Sequence, residues 1–129
     1  MTTGGDAVEM FERACELDST GHSDRAAPLY RSALDAGLTG INRRRATIQM
    51  ASSLRNLGDA GEAVRLLTNE LNQPSDELDG AVRAFLALAL ADMGREREAL
   101  VHSLTALSKY LPRYNQSLAR YASALKADE

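Results

Sequence analysis

Residues 86–107 read LALALADMGREREALVHSLTAL, and the fold is decided there. Together with the residues just before them, the apolar positions Val82, Phe85, Leu86, Ala89, Leu90 and Met93 recur at spacings of three and four, the period of a helix with one buried face. Gly94 supplies a residue that tolerates a left-handed backbone and stops that helix. A charged segment, Arg95-Glu96-Arg97-Glu98, follows, and Ala99, Leu100, Ala106 and Leu107 take up the apolar pattern again. The stretch therefore predicts two helices joined by a short turn.

Working outward, the same punctuation recurs along the whole chain. Breaks fall at 19–23, at 37–40, at 57–59, at 72–75, at 93–95 and at 111–113, where Gly, Pro, Ser, Asn and Asp cluster. They divide the 129 residues into seven helices, at about 6–19, 23–36, 41–57, 60–72, 76–93, 96–110 and 113–127. Asp59, with Glu62 three residues on, predicts an N-cap, and Ser75 after Pro74 predicts another. Pro28 removes a backbone donor inside the second helix, which is expected to start late or bend near its first turn.

Aligning the glycines reveals an internal repeat. Gly21, Gly58 and Gly94 stand 37 and 36 residues apart. An alanine follows each at the same offset, Ala26, Ala63 and Ala99, and eight residues later comes Leu34, Leu71 or Leu107. Upstream, Ala14, Ala51 and Ala87 precede their glycines by seven and Leu17, Leu54 and Leu90 by four. Small residues allow two antiparallel helices to approach closely, and the leucines then fill the space between neighbouring pairs. The repeats span about 6–40, 41–76 and 77–112. The last helix, with Tyr114, Leu118, Tyr121 and Leu125 on one stripe, is expected to cap the open end at about 113–127. One domain, 1–129, is the expected organisation.

Composition agrees with an all-α chain: 44% hydrophobic and 26% charged, but only 5% aromatic with no Trp. β-Branched and aromatic residues are too sparse for a sheet. A net charge of −3 gives no strong positive field, which disfavours nucleic acid as a partner. Cys15 is alone and cannot form an internal disulfide, which fits a reducing compartment. The start MTTGGDAVEMFE has no leader pattern, and no apolar stretch approaches the ~20 residues that span a bilayer. A cytoplasmic protein without a membrane partner is expected.

The repeat residues resemble the tetratricopeptide repeat, a helix-turn-helix unit of ~34 residues. The third copy carries Leu86-Ala87, Leu90, Gly94 to Leu100, Ala106-Leu107 and Pro112, and the second Met50-Ala51, Leu54, Gly58-Asp59, Ala63, Leu67, Leu71 and Pro74. The first copy matches through Ala14, Leu17, Gly21, Ala26, Tyr30, Ala33 and Leu34. Departures are Met10, Thr47 and Arg83 where the family favours Trp, and Glu70 in place of a small residue. The resemblance implies an all-α solenoid of three repeats plus a capping helix, wound as a right-handed superhelix. It also implies a concave groove lined by the first helix of each pair: Val8, Phe11 and Cys15, then Arg45, Ile48, Ser52 and Arg55, then Ala81, Ala84 and Leu88. At the positions where one subclass clamps a terminal carboxylate stand Phe11, Cys15, Gln49, Ala81 and Phe85, so that clamp is absent.

Residues for catalysis are few. The chain has two histidines, His22 in a turn and His102 on a helix, one cysteine, and no HExxH, CxxC or DxDxDG pattern, so neither a metal nor another cofactor is expected. Gly4-Gly5 reads as a flexible terminus, and Gly58-Asp59-Ala60-Gly61 as an interhelix turn without the Lys-Ser/Thr of a phosphate loop. Arg43-Arg44-Arg45 lies near the positive end of a helix and calls for compensation, by acidic groups such as Asp35 or by solvation, with anion binding as the alternative. The expected function is a non-catalytic adaptor whose groove holds a peptide or protein segment with apolar and acidic anchors, Phe11, Ile48, Arg45 and Arg55 anchoring it. The alternative is a homodimer that buries the groove or the last helix.

Overall fold

The three aligned glycines end their helices in one and the same way. In the computed structural model, which describes residues 4–128, Gly21, Gly58 and Gly94 have φ of 83°, 92° and 76°. The N–H of the residue after each glycine, that of His22, Asp59 or Arg95, donates back to Leu17 O, Leu54 O or Leu90 O at 2.8, 2.9 and 2.9 Å. These bonds occupy carbonyls that a helix end otherwise leaves bare. The following residues share a conformation as well, with φ of −105°, −107° and −103° and ψ of 56°, 62° and 57°. A three-fold repeated turn is thus written into the backbone.

Each turn joins a hairpin. Helices α1 (Gly4–Ser19) and α2 (Ser23–Asp35) form the first, α3 (Gly40–Asn56) and α4 (Ala60–Leu71) the second, α5 (Asp79–Asp92) and α6 (Glu96–Ser108) the third. Helix α7 (Asn115–Ala124) and a 3-10 turn, Leu125–Asp128, complete the described chain. No strand occurs among the described residues, and the architecture is the all-α repeat solenoid. Helix α1 begins at Gly4, so Gly4-Gly5 belong to it and are not a flexible lead, while Gly61 lies inside α4 and not in the turn. Asp59 caps α4 by accepting the Glu62 N–H at 3.2 Å, as its spacing predicts.

Of two helix starts in question, the first falls where the spacing places it and the second does not. Helix α2 begins at Ser23 and runs through Pro28, whose exposed ring faces solvent, so no late start occurs. Helix α5 begins at Asp79, three residues after the expected 76, and Ser75 does not cap it. Asp76 accepts the Leu78 N–H at 2.8 Å and Asp79 accepts the Asp76 N–H at 3.2 Å, while the Ser75 hydroxyl bonds the Asp79 carboxylate. These local side-chain bonds offer the backbone an alternative to the first helical turn.

Ala14 and Ala26, Ala51 and Ala63, and Ala87 and Ala99 are all buried. They lie at the equivalent places of the three hairpins. One apolar cluster joins the first hairpin to α3 through Phe11, Tyr30, Leu38 and Met50; a second joins α3 and α4 to the third hairpin through Ile48, Leu67, Val82, Leu86 and Leu90. The backbones of α1, α3 and α5 approach one another in series, whereas those of α2, α4 and α6 do not. Long side chains alone link that outer row, as between Arg31 and Glu62 at 3.9 Å. A close inner row and a splayed outer row give the array a concave side lined by α1, α3 and α5.

The last helix caps less than its stripe suggests. Helix α7 packs on α6, and its backbone does not approach α5. Ala122 is buried and Leu118 and Leu125 are half-buried, but Tyr114 and Tyr121 are 75% and 67% exposed. Leu107 is 50% exposed, although its counterparts Leu34 and Leu71 pack into the clusters, because among the described residues no further hairpin covers it.

Candidate functional site

Residues expected to line the inner wall fall into three groups. Phe11 and Ile48 are 3% and 6% exposed and belong to the two apolar clusters, so they support the wall from beneath and are not free to anchor a ligand. Val8, Cys15, Ser52, Arg55 and Ala81 are partly exposed, and Arg45, Ala84 and Leu88 are open. Burial along the inner row therefore decreases from the first hairpin to the third.

Side chains lace neighbouring inner helices together. The Arg45 guanidinium lies over the Phe11 ring at 5.0 Å from its centroid, a cation–π contact between α3 and α1. Gln49 Nε2 donates to the Tyr30 hydroxyl at 2.6 Å and lies 3.3 Å from Cys15 Sγ. The Tyr30 hydroxyl donates in turn to Asp18 Oδ2 at 2.9 Å, and Ser53 Oγ to Asp18 Oδ1 at 3.3 Å. Burial, reinforced by the Asp18 carboxylate, holds the Tyr30 phenol well above the usual tyrosine range despite the Gln49 donor. This network joins three helices, and no sequence motif announces it. The spacing of Tyr30 and Asp18 alone carries no signal, since their meeting depends on the hairpin angle.

Arg55 closes the joint between α3 and α5. Its Nε lies 2.7 Å from Asp92 Oδ2 and its Nη2 donates to Asp92 Oδ1 at 3.2 Å. Charge that the sequence reading assigns to a ligand is thus already matched within the chain. Arg45 differs: beyond the Phe11 ring it has a single long contact to Asn42 Oδ1, at 3.5 Å, and no carboxylate partner among the described residues.

The other two arginines of the run are structural. Arg43 grips Glu70 with both Nη atoms, at 3.1 and 2.7 Å. Arg44, 3% exposed, donates to Pro74 O at 2.7 Å and to Asp79 Oδ1 at 2.6 Å, with Asp76 Oδ1 3.3 Å from its Nε. Glu70 is itself 3% exposed. The compensating acids thus come from α4, the segment leading into α5 and the first residue of α5, and Asp35 of the first repeat takes no part. Glu70, a departure from the family pattern, and the arginine run explain one another. The Glu70 hydrogen bonds hold the Arg43 pKa above its ordinary value, and the Ser75 hydroxyl, ahead of the Asp76 N–H and the Arg44 charge, lowers that of Asp79.

In the third hairpin Arg83 Nη1 lies 2.8 Å from His102 Nδ1. A guanidinium only donates, so Nδ1 accepts and the ring is neutral there. Burial, then the charges of Arg83 and Lys126, lower the His102 pKa against a smaller opposing effect of Glu98. Among the described residues no group of three or more His, Cys, Asp or Glu is placed to hold a metal ion, and no helix is long and apolar enough to cross a membrane.

Stacked helical hairpins with one concave face define a repeat scaffold of the kind that presents a surface along an array. The family model described as the tetratrico peptide repeat matches residues 7–125, nearly the whole chain, and the protein belongs to that family. Members generally mediate protein–protein interaction and act as non-catalytic scaffolds. No curated protein and no solved structure matches the chain at a significant level.

Proposed function

We propose that the protein is a non-catalytic adaptor that holds a segment of a partner protein along the inner face of α3 and α5. The supporting observation is Arg45, an exposed cation fixed over an aromatic ring and lacking a carboxylate partner among the described residues, at one end of a strip that continues through Ser52 to Ala84 and Leu88. Such a strip suits a peptide with an acidic side chain or terminal carboxylate and apolar anchors. Arg55 is left out of this reading because Asp92 already neutralises it. Action in the cytosol fits the lone thiol of Cys15.

A panel of fluorescent amphipathic peptides, matched in apolar residues but carrying either Glu or Lys, tests the proposal by anisotropy. Acidic peptides are expected to bind the full chain, and Arg45→Glu to weaken them by about tenfold or more, equivalent to ~1.4 kcal/mol, with helicity unchanged. Equal binding of Glu and Lys peptides, or indifference to Arg45→Glu, would reject the role of Arg45.

A further inference from the structure

The open end of the array differs from every internal joint. Ala84, Ala87, Leu88 and Ala91 of α5 and Glu96, Ala99, Leu100 and Ser103 of α6 line an open hollow of about 520 Å³. Aligned on the glycines, its floor corresponds to Ile48, Ala51, Ala63 and Val64 of the second hairpin. There the same surface is covered by α5, whose Val82, Leu86 and Leu90 join the cluster. A helix with bulky apolar side chains is the kind of occupant this surface is shaped for, and α7 does not supply it, since α7 lies on α6 away from α5.

Unburied apolar groups gather at the same end. Of the nine large hydrophobic side chains exposed among the described residues, seven lie between Leu88 and Tyr121. Tyr121 is exposed on α7 and Tyr114 just before it, flanked by Arg120 and Arg113, neither of which has a carboxylate partner among the described residues. Glu96, in the wall of the hollow, has no basic partner among the described residues. At the opposite end of the array, Glu9, Arg13 and Glu16 of α1 are exposed, so that face offers no apolar counterpart for head-to-tail growth.

We propose that two copies of the chain pair tail to tail about a two-fold axis, each laying the tyrosine face of α7 into the α5–α6 hollow of the other. Groove and insert are both on one end of one molecule, so a two-fold axis satisfies both at once and closes the assembly. Arg120 of each copy then faces Glu96 of the other, which sets the register. Arg45 and Ser52 stay outside this interface, while Ala84 and Leu88 at the far end of the strip are shared with it.

Sedimentation equilibrium of the full chain, from low micromolar to millimolar protein, tests the pairing. A reversible dimer is expected, and Leu100→Glu and Tyr121→Glu, both at exposed positions, should each raise its dissociation constant about tenfold or more while circular dichroism stays unchanged. Glu96→Arg and Arg120→Glu should each weaken the dimer, and the double variant should restore it. A monomer at all concentrations, a dimer indifferent to Leu100→Glu and Tyr121→Glu, or a double variant no better than the singles overturns the proposal. Arg45→Glu is expected to dimerise normally, so loss of peptide binding and loss of pairing are read separately.

Discussion

At the scale of single residues, His102 ties chemistry to stability. Its ring accepts from Arg83 in the neutral form, and its pKa lies below the ordinary 6.5. Protonation therefore favours the unfolded chain: the stabilisation is complete above pH 6.5 and is lost as pH falls from there through the folded value. Urea midpoints measured between pH 5 and pH 8 should show this decline, and His102→Gln, which keeps an acceptor for Arg83, should flatten it. An unchanged slope in the variant would show that His102 is not its source. Sequence reading locates His102 on a helix but not Arg83 beside it, because the partners lie on different helices of one hairpin. Phe11 and Ile48 mislead for a related reason. Helical periodicity tells which face a residue is on, but not that the next inner helix and the long arm of Arg45 cover it.

Among elements, the turns were the most legible feature, because left-handed backbone narrows the choice of residue. Gly58 shows this with φ of 92°, whereas Gly61, three residues on, sits in ordinary helical backbone with nothing within 4 Å of an added Cβ. Gly58→Ala should cost about 1 kcal/mol, and Gly61→Ala should add about 0.5 kcal/mol by raising helix propensity. Thermal unfolding of the two variants checks the opposite signs. The start of α5 was harder to read, since Ser75, Asp76 and Asp79 all suit a cap and the choice depends on Arg44 arriving from α3. The acids that answer the arginine run were illegible for the same reason: Glu70 lies 26 residues beyond Arg44 in sequence, and only the stacking of hairpins makes them neighbours.

For the whole molecule, place in the array outweighs residue type. Leu71 and Leu107 occupy the same register, yet Leu71 packs against the following hairpin and Leu107 is half exposed. Leu71→Ala should therefore cost about 2 kcal/mol and Leu107→Ala under about 0.5 kcal/mol in dilute protein, by denaturant titration. Repeat spacing in the sequence disclosed the hairpins and their order, because each is a local unit with its own turn. What lies beyond the last hairpin was not legible, because nothing in a repeat says how its final surface is covered. The arginines also divide the array unequally. Arg44 fastens the beginnings of α3 and α5 to each other, Arg55 fastens their ends, and α1 is held to α3 by the stacking of Arg45 on Phe11 and by hydrogen bonds from Gln49 and Ser53. The second and third hairpins are thus riveted by charge at both edges, whereas the first is held to them by apolar packing, hydrogen bonding and the stacking of Arg45 on Phe11, a seam that salt would leave largely untouched.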